Sequence, residues 1–269
     1  MPEVNLMKRT ICVIILACLF VVGPAAIFGQ LYSGKKAEVV IDPVDKTNIT
    51  GYIQIAYAWG ELLIPPQDLP RGVINLKEAM NRYTKIETHL DTHLILSTER
   101  LLEMPFVYVS TKQAFDLTET ERKNLRKYFE NGGFLVAENA EPLGDLSRGA
   151  ASLKRMLLET IPNARFAPIP VGHPLYHCFF DFDDGAPNGA EIGTYGRDTD
   201  FKGTLMSKPV FGLEGVWYRG RLAAVYSDKG YIVKWNDSQN NEPQLKMGVN
   251  FIVFALTQEG GIASTNRNQ

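Results

Sequence analysis

Hydrophobic and polar positions alternate along this chain with two different periods. "GYIQIAYAW" (51–59) is rich in β-branched and aromatic residues and predicts a strand. "LPRGVINLKEAMNRYTK" (69–85) places Ile74, Ala79 and Tyr83 near helical spacing and predicts a helix. "IETHLD" predicts a short second strand, and "PFVYVST" (105–111) is a continuous apolar run of the kind buried on both faces of a sheet. "LTETERKNLRKYFENGGFLVAEN" (117–139) is the clearest unit. Thr118 followed by Glu121 forms a capping box, Leu125 and Phe129 mark the apolar face, and Gly132-Gly133 stops the helix before the strand "FLVAEN".

A helix over 147–160 follows, striped by Leu153, Met156, Leu157 and Ile161, and then a strand in "ARFAPIP". Strands alternating with helices at this spacing predict βαβ units, an α/β class and a mostly parallel sheet. Residues 185–204 are rich in Gly and Asp and predict a long loop. "LEGVWYRGRLAAVYSDKGYIVKW" predicts a hairpin or meander turning at Arg219-Gly220, an added C-terminal β element. A closing helix spans 244–258, with Met247, Phe251 and Phe254 on one stripe.

The chain has 269 residues, 45% hydrophobic and 22% charged, with a formal net charge of −2. Its basic residues are scattered among acids, so no nucleic-acid partner is expected. The N-terminus departs from this average. After Lys8 and Arg9, an uncharged apolar run extends from Thr10 to Phe28. Residues 1–29 are expected to be a signal peptide, or an N-terminal anchor held by residues 10–28. The protein is then exported, periplasmic or extracellular, and any membrane association in the cell envelope comes through that segment alone. Residues 30–50 are expected to be a linker or edge segment, 51–258 a single domain and 259–269 a tail. Cys12 and Cys18 fall in the leader, which leaves Cys178 as the one thiol beyond it and allows no internal disulfide.

The segments "MPFVYVST", "LTETERKNLRKYFENGGFLVAEN", "IPVGHPLYHCFFDF", "GRLAAVYS" and "MGVNFIVFAL", in this order, resemble the bacterial family called domain of unknown function 4159. The resemblance covers roughly residues 51–258. It implies a fold like that of class I glutamine amidotransferases and trehalose-utilisation proteins, a flavodoxin-like three-layer sandwich, without implying their chemistry. Members of the family usually carry two aspartates where this chain has Glu138 and Asn139, so a mechanism needing two carboxylates at that turn is in doubt.

Amidotransferase chemistry needs an activated thiol, and Cys178 lies on no strand–turn–helix elbow. It is expected to be core. No G-x-S-x-G elbow, Walker frame or G-x-G-x-x-G is present. "PVGHPLYHCFFDFDD" (170–184) is the densest cluster of candidate groups. His173 and His177 have the i, i+4 spacing of helical metal ligands, and Asp181 adds a carboxylate. No cofactor is expected, and a divalent metal on His173, His177 and Asp181 is the one exception left open. The plainer expectation is a turn in which the His173 imidazole bonds backbone and Pro174 fixes the bend. His89 and His93 are expected to be solvated. Tyr57, Trp59, Trp217, Tyr218, Tyr231 and Trp235 suit strand packing or a sugar-binding groove. The candidate catalytic groups are Glu138, Asn139, His173 and His177, expected to share one crevice. The leading expectation is a non-enzymatic ligand-binding or assembly module of the envelope, whose partner is an envelope protein or a small molecule or glycan. The alternative is a hydrolase or lyase acting on a sugar or cell-wall fragment, with Glu138 as acid/base.

Overall fold

The computed structural model describes residues 36–141, 147–190 and 212–265. Residues 1–29, expected to be a signal peptide or anchor, with Cys12 and Cys18, and residues 191–204 of the expected loop lie outside the described residues. The described residues form one compact unit. Its elements are β1 (Ala37–Ile41), β2 (Ile49–Trp59), α1 (Leu69–Tyr83), β3 (Lys85–Ile95), β4 (Phe106–Thr111), α2 (Glu119–Glu130), β5 (Phe134–Asn139), α3 (Arg148–Thr160), β6 (Phe166–Pro168), β7 (Leu213–Tyr218), β8 (Arg221–Ser227), α4 (Tyr231–Asn236), α5 (Glu242–Thr257) and α6 (Ile262–Thr265). The class is α/β with a mostly parallel sheet.

Strands β3, β2, β4, β5 and β8 are parallel neighbours in that order. β7 continues the sheet antiparallel to β8, and β6 closes that edge antiparallel to β7. β1 pairs antiparallel with Ile49–Ile53 of β2, and β4 takes Ile55–Tyr57, so the two lie end to end on one edge of β2. Side chains alternate across the sheet as strand geometry requires. Phe106, Tyr108, Phe134 and Val136 pack with residues of α1, α4 and α5. Val107, Val109, Leu135 and Ala137 pack with residues of α2 and α3 on the other face. Every residue of β4 and β5 is buried, which is why both read as uninterrupted apolar runs.

The local signals with a mechanism are realised as expected. Thr118 Oγ1 accepts the Glu121 N–H, and Glu121 accepts the Thr118 N–H in return. Glu121 also accepts the Glu61 N–H at 2.8 Å, tying the start of α2 to the segment after β2. Arg219 and Gly220 have φ of 52° and 77°, the paired positive values of a two-residue hairpin turn.

The segment 30–50, expected to be linker or edge, contains β1, which pairs along one edge of β2. Three expectations change. The short second strand is 11 residues long, with a register irregularity against Ala56–Ala58 of β2. "YIVKWN" is a helix rather than the end of a meander. Gly230, at φ 64°, turns the chain, and the buried Tyr231, Ile232 and Trp235 have helical spacing. The residues read as a tail include α6, whose Ile262 N–H reaches the Gly132 carbonyl at 3.2 Å.

Candidate functional site

β5 delivers Glu138 and Asn139 to the carboxyl end of the parallel strands, where open α/β sheets commonly bind ligands. As successive strand residues they point to opposite faces. Glu138 is fully buried. Its carboxyl accepts hydrogen bonds from Tyr108 Oη of β4, from Ser227 Oγ at the end of β8 (2.8 Å) and from the Ile232 N–H at the start of α4 (2.7 Å). Burial raises its pKa to about 7, against the lowering effect of those donors. Burial, followed by the neighbouring Glu138 charge, pushes the Tyr108 phenol well above its ordinary range. This group holds α4 on the sheet and has no exposed surface for a substrate.

On the other face, Asn139 donates to Asp228 Oδ1 (2.8 Å) and accepts from Ser147 Oγ (3.0 Å), and Tyr226 Oη donates to the same Asp228 oxygen (2.7 Å). Ser147 is also the N-cap of α3. Sequence reasoning passed over Tyr108, Ser227 and Asp228. The available signal was polar groups in apolar surroundings: a phenol inside "FVYVST" and "SDK" directly after a buried strand.

Segment 170–184 lies elsewhere. His173 caps a single 3₁₀ turn, Pro174–Tyr176, and its Nδ1 accepts the Leu175 N–H at 3.1 Å. Its ring lies against Phe254 and Trp217, with centroids 5.5 Å and 6.3 Å away. Phe254 in turn meets Phe134, the first residue of β5. His173 therefore sits at the end of the sheet opposite Glu138, which lies four residues or ~13 Å further along the strand. The two do not share a crevice. His177 turns to the Val171 carbonyl (2.9 Å) and to Asp181 (3.3 Å), while Lys46 reaches Asp181 at 2.7 Å and holds its carboxyl below the ordinary range. Among the described residues, no three His, Cys, Asp or Glu side chains form a group able to hold a metal ion.

Asn250 is the organiser of this segment. It is fully buried in the middle of the apolar helix α5. It accepts the Phe180 N–H (2.9 Å) and donates to the carbonyls of Leu175 (3.1 Å) and Phe180 (2.8 Å). Cys178 is partly buried, its thiol 3.3 Å from the Asn250 carbonyl, and burial pushes its pKa up to about 12. A thiol held protonated is a poor nucleophile. His89 and His93 are exposed, paired with Glu87 and Thr92. Of the aromatics, Trp235 and Tyr231 are buried in the core, whereas Trp217 and Tyr218 are half-buried and line an open crevice of about 670 Å³ beside His173.

A sequence profile described as Domain of unknown function (DUF4159) matches residues 65–256. The chain belongs to the DUF4159 family. No curated protein matches it. The DUF4159 match runs from just before α1 nearly to the end of α5, so it includes the Glu138 group, the Asn250 staple and the Trp217 side of the crevice, and leaves out β1, β2, α6 and the Gln258 side of the crevice. Among the described residues, no helix is long and apolar enough to cross a membrane.

Proposed function

We propose that this DUF4159 chain is a non-enzymatic ligand-binding or assembly module of the cell envelope, exported or anchored by its N-terminal apolar run. The carrying observation is the state of Glu138. The acid at the most favourable strand end has no exposed surface, and its oxygens are committed to Tyr108, Ser227 and Ile232. The raised pKa of Cys178 and the absence of a serine elbow support the same reading. The parallel order β3-β2-β4-β5-β8 corresponds to the 2-1-3-4-5 order of flavodoxin-like sheets, with helices on both faces, which supports that finer layering.

The second reading, a hydrolase or lyase of sugars or cell-wall fragments, has one observation in its favour. A pKa of about 7 suits a general acid or base. Its weakness is that no substrate reaches the group without α4 moving. One comparison separates the two: native protein and Glu138→Gln are incubated with cell-wall digests, and products are followed by mass spectrometry. No turnover by either supports the module. Turnover lost on Glu138→Gln overturns it. Purification of the full chain from envelope extracts, with mass spectrometry of its N-terminus and companions, tests the placement.

A further inference from the structure

The crevice beside His173 has a composition that core packing does not explain. It opens at the amino end of β5 and β8, away from Glu138, between the β7–β8 turn and the end of α5. Its volume of about 670 Å³ falls within the range of small-molecule sites.

Three features define what it would hold. The first is a flat apolar wall. Trp217 lies over Gly215: a Cβ on that glycine would come within 2.5 Å of the indole, so only glycine lets the ring lie along the strand. His173 packs edge-on against the same ring, and burial lowers its pKa.

The second is an unanswered amide. Gln258 follows the last turn of α5 and lines the crevice. Its Nε2 and Oε1 are both buried and neither has a hydrogen-bond partner among the described residues. Buried polar atoms without a protein partner are rare, and each calls for a partner from outside the chain, a water or a ligand group. The amide offers one donating and one accepting atom side by side, which a hydroxyl answers from either direction. The third is balanced charge. Arg219 and Arg221 line the crevice together with Glu130 and Glu259. Arg221 already gives hydrogen bonds to the carbonyls of Gly133 and Phe129, both at 2.9 Å. The lining thus favours neither an anion nor a cation, while its guanidinium and carboxylate groups suit hydroxyls.

We propose that this crevice binds a neutral sugar or short glycan, whose C–H face stacks on Trp217 and whose hydroxyls take up the Gln258 amide once that side chain turns toward the ligand. The inference rests on the reading of the chain as a binding module and gives that module a site and a ligand class. The test is saturation-transfer NMR on the full chain with neutral hexoses, N-acetylhexosamines and their disaccharides, and uronic acids as the anionic comparison. Trp217→Leu and Gln258→Leu are run alongside, with melting curves to establish that each is folded.

The expected result is saturation of sugar ring protons by a neutral member with a Kd of about 1 mM or tighter. Each folded variant should weaken it at least tenfold. No neutral sugar bound, binding unchanged in both folded variants, or binding of uronic acids alone would overturn the inference, and would leave the module reading to protein partners. The same spectra report on the other reading. A sugar bound and unaltered supports both. A sugar bound and consumed keeps the crevice but overturns the non-enzymatic module.

Discussion

Glu138 makes stability depend on pH in a direction opposite to that of most carboxylates. Its folded pKa of about 7 lies above the ordinary 4.5, so the folded state holds its proton more tightly than the unfolded chain. This contribution is fully present below pH 4.5 and is lost as pH rises through 7. The gap corresponds to about 3 kcal/mol. Glu138→Gln keeps the shape and removes the ionisation. Urea melts of the two proteins between pH 4.5 and 7.5 should show native stability falling relative to the variant. Parallel curves would refute the buried-acid account. Asn250 acts through hydrogen bonds alone. Asn250→Leu strands the Phe180 N–H and two carbonyls and should lose about 3 kcal/mol by denaturant titration, with chemical-shift changes concentrated at 173–181. The sequence made Glu138 visible, at the end of an apolar strand. It did not make its surroundings visible, because Ser227 and Ile232 lie 89 and 94 residues away and only the sheet order joins them. His173 and His177 misled for the converse reason: their spacing is meaningful on a helix, and here a single 3₁₀ turn separates them.

Elements were legible where their determinants are local. The Thr118–Glu121 capping box and the Arg219-Gly220 turn lie within a few residues of sequence, and both appear where expected. α4 was misread because six residues hold too little of a helical period to distinguish it from a strand. β3 was read as too short because its alternation breaks at Asp91, which is buried, paired with Arg100 and bonded to the His93 N–H at 2.9 Å. That break has a use. Among the described residues β3 pairs with β2 alone, so one side of an 11-residue strand lacks a neighbour strand. The N–H groups of Ile86 and Thr88 are taken by Thr84 Oγ1 and Asn81 Oδ1, both at 3.1 Å. Side chains that occupy edge donors, together with an irregular strand, discourage pairing with another chain. Asn81→Ala combined with Thr84→Val should therefore lower stability by only about 1–2 kcal/mol while increasing self-association in sedimentation velocity at high concentration. A doubly substituted protein that stays as monodisperse as the native chain would show that the edge needs no such protection.

At the scale of the molecule, the sheet separates two environments that the sequence placed together. The carboxyl end holds a sealed acid, and the amino end holds an open crevice lined by aromatic rings and an unpartnered amide. The sheet itself extends beyond the 51–258 span drawn from the sequence. β1 supplies five paired residues to β2 and buries Ala37 and Val39, and α6 buries Ala263 and docks on Gly132. Gly132 lies two residues before β5 and lines the crevice, so α6 supports the crevice from behind. A fragment of residues 36–269 keeps all these contacts and should melt within a few degrees of the full chain. A fragment of residues 51–258 uncovers half of β2 and removes the Gly132 contact. It should lose several kcal/mol, through exposed apolar surface and freed strand hydrogen bonds. Circular dichroism melts of the two fragments decide the matter. Equal melting temperatures would mean that β1 and α6 only decorate a core complete without them. A large deficit confined to the shorter fragment would mean that the folding unit is wider than the family match, and that binding at the crevice must be measured on the longer one.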